Sequence, residues 1–419
     1  MKRPNWILGA GWLVFLLYAY PGYMGSDSAN QLVDSRVGFY TDWQAPIVTE
    51  IWRLVENFIS GPAGMLLLQS GLLLLGAYQL ARRVVSDRSA AIVAICALAL
   101  PPAAVTTALL TPEALLPGLL LCAAAAWTSN DLRFRVGGFV LVVLACGLHS
   151  GARYAALPLM IALLVRREQM TRTRRLALSL AAWVAAVMLA WGISYALTDL
   201  VTERTELNLA ARDIYGTLQR APAMRDEQLR PLFDGVILAS STQIQKHARA
   251  NELLVGTSSA HEREALFAAR RALIRAQPAA YLKHRSFVFL RALGITRKPA
   301  AVYTQFVAKR EHASGLQHLA RHSVLQRALI AVAKVVAATP LMRPYLYLAL
   351  AIVLLVVAAR RRYGLPALLA LSGIAYELSL FISTSRAEYR DSHWLIVSTI
   401  VATALLIAQL VSARSSTSV

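Results

Sequence analysis

The chain has 419 residues, of which 57% are hydrophobic and 16% charged, and its formal net charge is +20. So few charges cannot cover the surface of a soluble protein of this size, and uncharged stretches of about 20 residues, which span a hydrocarbon core of about 30 Å, recur along it. We therefore expect an integral membrane protein whose Lys and Arg residues anchor cytoplasmic loops, and we expect no nucleic-acid binding.

The first predicted element is a membrane-spanning helix near residues 6–23, preceded by Lys2 and Arg3. A secretory signal peptide begins in the same way, but it ends at a small-residue cleavage site, which this segment lacks. Tyrosines at 18, 20 and 23 are typical of a membrane interface. We therefore expect that the first helix is retained.

The next element is an outer loop over residues 24–61, in which polar and apolar residues alternate at helical spacing. The apolar residues of its second half form one stripe, which predicts a helix lying along the membrane interface. That stripe consists of Ile47, Ile51, Leu54, Val55 and Phe58.

The first half of this loop carries the first candidate site residues. On a helix, Asp27, Gln31 and Asp34 share one face. Ser26 or Asp27 is either the N-cap of that helix or, in the case of Asp27, a general base just above the membrane. Asp42, shortly before Pro46, is either a turn residue or a second acid in the same cleft.

Further apolar stretches predict about ten transmembrane helices in total. Together with the first, they lie near 6–23, 62–81, 89–109, 113–128, 136–149, 154–165, 176–197, 343–359, 364–384 and 393–412. The intervening segment is rich in Ala, Leu and Arg and predicts a helical outer domain. The expected organisation is an all-α polytopic membrane protein with a transmembrane module of about seven helices over 1–197, a helical periplasmic domain over 198–342 and a module of about three helices over 343–419.

The loops predict the orientation of these helices. Alternate loops from the N-terminus onward are basic, with arginines at 82, 83, 88, 133, 135 and 360–362 and a cluster over 166–175. The loops on the other side carry most of the acids. This is the positive-inside pattern, and it predicts that both termini are cytoplasmic and that the acidic loops face the periplasm of a bacterial inner membrane.

Short motifs on the outer side hold the other candidate residues. Glu113 follows Thr111 and Pro112 at the start of a span, where these three residues also make an ordinary helix N-terminus. His149, Arg153 and Tyr154 join two spans, and the arginine either contacts lipid headgroups or grips a phosphate through its planar guanidinium.

The last outer loop is denser in charge than a solvated loop requires. It contains Arg386, Glu388, Arg390, Asp391 and His393. Glu377 lies on the preceding span, and an intramembrane carboxylate is a candidate functional residue unless it only pairs with an arginine. The cysteines at 96, 122 and 146 fall in apolar segments and are interpreted as core residues, so no metal site is predicted from them.

The cytoplasmic loops are too short to form a nucleotide-binding domain. An enzyme built on this chain must therefore work on the outer face, where nucleotide-activated donors are not supplied. Group transfer there requires a donor carried across the membrane on a lipid.

These motifs resemble the GT-C class of polytopic glycosyltransferases, and within it the bacterial O-antigen-modifying glucosyltransferase-like and mannosyltransferase-like members. The resemblance rests on short motifs spread over most of the chain. They are Tyr-Pro-Gly with Asp27, Ser28 and Gln31, then Asp42 to Pro46, Thr111-Pro112-Glu113, Arg153-Tyr154, Pro278 to Leu282 with Arg285, and Glu388-Tyr389-Arg390.

The resemblance implies an inverting hexosyltransferase in which an acid of the first outer loop, Asp27 or Asp42, is the general base and Glu113 supports it. Arginines 153 and 390 would hold the lipid phosphate. Further substrate contacts would come from Gln31, Tyr154, Glu388 and His393, with Glu377, His149 and Arg285 as additional candidates. The Asp-X-Asp or Glu-X-Asp signature of many members is absent, which leaves the identity of the base and a divalent cation requirement open.

The implied partners are a polyprenyl-phosphate-linked sugar donor, a glycan, lipid or protein acceptor, and membrane lipids. A transporter or flippase of lipid-linked saccharides is the alternative. Transporters place paired charges near the bilayer midplane and show inverted repeats. Apart from Glu377 the predicted interior carries almost no charge, which favours the transferase.

Overall fold

The computed structural model describes residues 3–41, 44–164, 171–199, 205–238, 242–250, 253–254, 260–305 and 323–417. Within these ranges the chain is helical and contains no strand, only two isolated β-bridges. The N-terminal helices are α1 (Arg3–Ala19), α2 (Ser26–Val37), α3 (Pro46–Glu56), α4 (Pro62–Ala81), α5 (Asp87–Ala99), α6 (Pro101–Thr107), α7 (Pro112–Trp127), α8 (Leu132–Leu148), α9 (Ala152–Leu159) with a π-helical turn (Met160–Leu164), and α10 (Arg172–Leu197).

The remaining helices fall in the predicted outer domain and the predicted C-terminal module. They are α11 (Thr205–Arg220), α12 (Asp226–Leu229), α13 (Ile244–Ala250), α14 (Ala260–Ala276), α15 (Pro278–Ala292), α16 (Val324–Ala337), α17 (Pro344–Arg360), α18 (Gly364–Ser383) and α19 (His393–Thr417), with short 3-10 turns at Arg230–Phe233, Pro340–Met342 and Tyr389–Ser392. The expectation of an all-α protein is confirmed for the described residues.

Among the described residues, four helical segments are long and apolar enough to cross a membrane. They are Pro62–Ala81, Arg172–Leu197, Gly364–Ser383 and Tyr389–Val411, and the bent pair α5–α6 makes a fifth if it counts as one span. The chain is therefore a multi-pass membrane protein. A helix lies at each of the ten predicted positions, but several are shorter than a full span, so the number ten stays a prediction.

The predicted span 89–109 is not one straight helix. It consists of α5 and α6, which meet at an angle of 64°. Leu100, between them, has an extended conformation (φ −62°, ψ 132°) and is followed by two prolines. The proline ring disfavours the helical region for the residue before it, and proline suits the first position of a new helix, so the break follows from the sequence Leu-Pro-Pro.

The first outer loop folds as two helices, α2 and α3. The buried residues of α3 include Ile47, Val48 and Trp52, whereas Leu54 and Phe58 of the predicted stripe are exposed. The first part of α3 therefore packs into the protein core, and its apolar end does not. Exposed apolar side chains at this end are compatible with the expected helix along the membrane interface, which stays a prediction.

Two glycines allow helices α4 and α7 to pack closely. A Cβ atom at Gly76 would lie 2.7 Å from the backbone nitrogen of Cys122, and one at Gly118 would lie 2.9 Å from that of Leu73. Backbone atoms cannot give way as a flexible side chain can. Small residues at helix crossings are a common means of association within membranes.

Gly118→Ala is therefore expected to lower the thermal stability of the detergent-solubilised protein, with a cost of about 1–3 kcal/mol typical of overpacking. Gly137→Ala on α8 is the matched control, because nothing lies within 4 Å of its Cβ position. A melting temperature of Gly118→Ala equal to that of Gly137→Ala would contradict this close packing.

The outer domain has a core of its own. Buried apolar residues from α11, α13 and α14 form this second core, separate from that of the transmembrane helices, and they include Leu207, Ile214, Leu218, Ile244, Ala248, Leu266 and Leu273. By contrast, Ile330 and Ala333 of α16 belong to the transmembrane core. Helix α16 thus packs on the membrane bundle.

A buried carboxylate, Asp213 of α11, lies among three basic side chains. Its side chain has no exposed area, and Arg270 approaches to 2.7 Å, Arg285 to 3.2 Å and His284 to 3.6 Å. Burial raises the pKa of Asp213, but the nearby His284 imidazole and the charges of Arg285 and Arg270 outweigh it and hold the pKa below its ordinary value.

Asp213→Asn is therefore expected to destabilise the outer domain by about 3–5 kcal/mol at neutral pH, the cost typical of breaking a buried ion pair. The pKa of Asp213 is depressed in the folded state. The carboxylate therefore stabilises the fold fully above its unfolded-state pKa of about 3.9, and this stabilisation is lost as the pH falls through the folded-state pKa. Thermal melts of both proteins from pH 7 downward should converge in strong acid. A difference in melting temperature that stays the same from pH 7 into strong acid would contradict the prediction.

Candidate active site

Four residues from distant parts of the sequence meet at one end of the helix bundle, and we call them the arginine–acid cluster. The guanidinium of Arg390 lies 2.7 Å from Glu388, 3.5 Å from Asp27 and 4.0 Å from Glu113. The side chains of Glu113, Arg390 and Glu388 are 11%, 21% and 22% exposed, and that of Asp27 is 53% exposed. The carboxylate of Asp27 is thus the most accessible member.

The backbone explains why Asp27 and Glu113 are neighbours. The segment between α1 and α2 pairs with the segment between α6 and α7: Tyr23 N–H donates to Ala108 C=O, and Leu110 N–H donates to Tyr23 C=O. Ser28 Oγ adds a bond to the Leu110 carbonyl. This pairing holds the first turns of α2 and α7 side by side.

The start of α2 contradicts the interpretation of Ser26 or Asp27 as the N-cap of that helix. The N-cap of α2 is Gly25, and no side chain caps it. Asp27 therefore lies in the first turn, with its carboxylate directed to Arg390 rather than to the backbone. On α7, Thr111 takes the N-cap position and Pro112 the first helical position, as expected.

The loop between α18 and α19 is held in shape by Asp391. Its Oδ2 accepts a bond of 3.1 Å from the backbone N–H of Glu388 and one of 3.2 Å from Thr384 Oγ1. Next to it, Ser392 Oγ donates to the fully buried Glu377 carboxylate at 2.9 Å. These bonds fix the turn that presents Glu388 and Arg390. Glu377 therefore has a local partner, and it is not an arginine.

The corner between α8 and α9 brings His149 and Arg153 to the same region. His149 accepts a bond of 3.0 Å from Gly151 N–H through Nδ1 and contacts the ring of Tyr376. Its ring is close enough to interact electrostatically with Glu113, Arg390 and Arg153. The buried Nε of Arg153 has no hydrogen-bond partner among the described residues.

Three other predicted residues lie at different depths. His393 is buried, and its Nε2 lies 3.2 Å from Thr107 Oγ1. Gln31 is buried and donates to Thr49 Oγ1 at 3.2 Å. Tyr154 is 46% exposed. Asp42 lies outside the described residues, so its role as base stays a prediction.

Arg285 does not donate to any member of the cluster in this arrangement. Its side chain is 1% exposed and bonds to the carbonyls of Phe381 and Thr384 at 2.7 and 2.9 Å and to Asp213. Its predicted contact with substrate would require these bonds to break.

The outer domain adds positive charge beside the cluster. Burial and the neighbouring charge of Arg386 lower the pKa of the half-buried Arg212, and Glu388 opposes this effect. Arg212 and Arg386 therefore lie near each other and near Glu388. The position of Arg212 was not predicted, because nothing in the sequence shows that α11 reaches the last outer loop.

One supporting residue was also missed. Gln69, fully buried in α4, donates from its side-chain nitrogen to the carbonyls of Thr107 and Leu109 at 2.7 and 2.8 Å. It thereby holds the end of α6, which in turn contacts His393 through Thr107. A glutamine in the middle of an apolar span is the signal that could have identified this role.

A metal site does not emerge from this geometry. Among the residues that the structure describes, no group of three His, Cys, Asp or Glu side chains is arranged to hold an ion. The carboxylates of the arginine–acid cluster are instead paired with a guanidinium.

Known proteins are similar to this chain in structure rather than in sequence. No family model and no curated protein sequence matches it. Its structure is similar to that of the Archaeoglobus fulgidus oligosaccharyltransferase in the apo form, at 12% identity and a TM-score of 0.42, covering 97% of this chain and 50% of that one. The chain thus spans about half the length of the archaeal protein.

Two structures with bound lipids are also similar. One is the same archaeal enzyme, AglB, with an inhibitory peptide and a dolichol-phosphate, at 12% identity and a TM-score of 0.39, covering 96% of this chain and 50% of that one. The other is ArnT from Cupriavidus metallidurans bound to undecaprenyl phosphate, at 13% identity and a TM-score of 0.39, covering 95% of this chain and 78% of that one. Both solved proteins are GT-C glycosyltransferases, the class that the sequence motifs resemble. Similarity of this size does not assign a function.

Proposed function

We propose that this membrane protein is a glycosyltransferase that moves a sugar from a polyprenyl-phosphate carrier to a hydroxyl group of an acceptor on the periplasmic face of a bacterial inner membrane. The observation that carries the proposal is the arginine–acid cluster. It places an accessible carboxylate, Asp27, 3.5 Å from a guanidinium at one end of an apolar helix bundle. A base and a cation at a lipid surface are what such a transfer requires.

Asp27 is the base that the described residues support best. Its carboxylate accepts the proton of the acceptor hydroxyl as the oxygen attacks the anomeric carbon of the sugar. The new C–O bond forms on the face opposite the phosphate, and the bond to the phosphate oxygen breaks, so the configuration inverts. The released polyprenyl phosphate carries the negative charge away. Asp42 remains the second candidate for this role.

The cations stabilise the leaving phosphate. The buried Nε of Arg153 has no hydrogen-bond partner among the described residues, and a planar guanidinium can bind two oxygens of a phosphate. Arg390 is held by carboxylates, so it orients Asp27 and Glu113 and adds positive charge at the same place. Glu113 supports the site by keeping that guanidinium in position.

A transfer assay tests the proposal. Purified protein in proteoliposomes would be given radiolabelled sugars on polyprenyl phosphate together with a panel of hydroxyl acceptors from the cell envelope. Formation of labelled product with release of polyprenyl phosphate is expected. If the protein instead moves the intact lipid-linked sugar between leaflets and never transfers it, the proposal is wrong and the transporter alternative is correct.

A further inference from the structure

Arg285 of α15 bonds to the carboxyl end of helix α18. Its Nε donates to the Phe381 carbonyl at 2.7 Å, one Nη donates to the Thr384 carbonyl at 2.9 Å, and the other reaches the Leu380 carbonyl at 3.4 Å. These carbonyls belong to the last turn and C-cap of the helix, where carbonyls run out of N–H partners within the helix; of the three, that of Leu380 also accepts from Thr384 N–H. A cation at this position also interacts favourably with the negative end of the helix dipole.

Asp213 holds that guanidinium in place from the outer domain. It lies 3.2 Å from the Arg285 Nη1 atom, and Arg270 occupies its other oxygen at 2.7 Å. Gly216, one turn further along α11, lies so close to His284 of α15 that a Cβ atom would overlap the imidazole. Helices α11 and α15 are therefore closely packed where they hold Arg285.

Beyond α18 the contacts continue into the arginine–acid cluster. Thr384, whose carbonyl accepts from Arg285, donates through its hydroxyl to Asp391 at 3.2 Å. The same Asp391 oxygen accepts the Glu388 N–H, and the Glu388 carboxylate lies 2.7 Å from Arg390. An unbroken series of polar contacts thus connects the outer domain to the residue that orients Asp27.

We propose that Arg285, oriented by Asp213, is a positioning residue for the transfer reaction: it sets the end of α18 and thereby the placement of Glu388 and Arg390. The inference rests on the proposed function and assigns Arg285 a role other than contact with substrate. It also gives the outer domain a task in the reaction, because that domain supplies Asp213. The role requires an arginine, since a lysine ammonium cannot present a planar fork to Asp213 and several carbonyls.

Kinetics separate positioning from general stability. Arg285→Lys keeps the charge beside Asp213, so the protein is expected to fold, yet kcat should fall about 100-fold, as for a small displacement of a catalytic group, with little change in the KM for the donor. Arg291→Gln, an exposed arginine on the same helix, is the control and should leave kcat unchanged. A wild-type kcat for folded Arg285→Lys would overturn the proposal.

A double-variant cycle adds a second test. If Arg285 acts through Arg390, the effect of Arg285→Lys should largely vanish in an Arg390→Lys background, because the side chain that it positions is already altered. If the two effects on kcat multiply, Arg285 does not act through Arg390 and the proposal fails.

Hydrogen exchange distinguishes failure of this inference from failure of the proposed function. Arg285→Lys should speed amide exchange over residues 384–392 and leave the other end of α18 unchanged, whether or not the wild-type protein transfers sugar. Faster exchange in a wild-type protein without transferase activity would reject the proposed function alone. Unchanged exchange over 384–392 would reject the positioning role.

Discussion

Asp27→Asn is expected to abolish sugar transfer while leaving the protein folded. The amide keeps the shape of the side chain but cannot accept the hydroxyl proton, and loss of a general base lowers the rate by about 10²–10⁴-fold. Stability should change little, because the Asp27 side chain is 53% exposed and its contact with Arg390 is 3.5 Å long. The measurement is the initial rate of labelled product formation at saturating donor, together with a thermal melt.

The control for Asp27 lies on the same helix. Asp34, near the end of α2, makes no ion pair among the described residues, and Asp34→Asn should keep full activity. Asp42→Asn is measured in parallel. If Asp42→Asn abolishes transfer and Asp27→Asn does not, then Asp42 is the base; if both variants remain fully active, the mechanism is wrong.

The positions of the helices could be predicted because hydropathy and charge reflect the membrane directly. Each apolar stretch became a helix, and the break at Leu100 is encoded by the two prolines that follow it. The number of full spans could not be predicted in the same way. Helices such as α1 and α7 are shorter than a span, and whether a short helix crosses the membrane depends on its tilt and neighbours rather than on its composition.

The site could be predicted in part, for a physical reason. Alternation of basic and acidic loops predicts that Asp27, Glu113 and Arg390 lie on one side of the membrane, and in the structure Asp27 and Glu113 both lie within 4.0 Å of Arg390. Burial and pairing depend on tertiary packing, which a single sequence does not reveal. The sequence motif suggested that Arg285 contacts substrate, whereas in the structure it bonds to backbone carbonyls of α18. A sequence motif does not show which backbone carbonyls a side chain will reach.

The outer domain illustrates the same limit. Its basic composition suggests contacts with anionic partners, yet Arg270 and Arg285 are paired with Asp213 inside the protein. The sequence of a helical segment does not show whether an acid such as Asp213 is buried among arginines or exposed to solvent. Only the convergence of α11, α14 and α15 shows that these charges are paired with one another inside the protein.

Arg390→Gln is expected to remove both activity and stability. Without the guanidinium, the carboxylates of Asp27, Glu113 and Glu388 face one another, and Glu113 is only 11% exposed. Leaving a buried carboxylate without its partner costs about 3 kcal/mol or more, so the melting temperature should fall clearly. Transfer should fall at least about 100-fold, because Asp27 loses the group that orients it.

A second substitution separates these two effects. Glu113→Gln in the Arg390→Gln background removes one of the repelling charges, so the melting temperature should recover in part, whereas transfer should stay lost because the cation is still missing. Arg36→Gln is the control: it breaks a 2.6 Å pair with Glu56 in which the arginine is 47% exposed, and exposed pairs contribute about 0–1 kcal/mol. Full recovery of transfer in the double variant would show that Arg390 serves only to neutralise Glu113, and its role at the leaving phosphate would have to be abandoned.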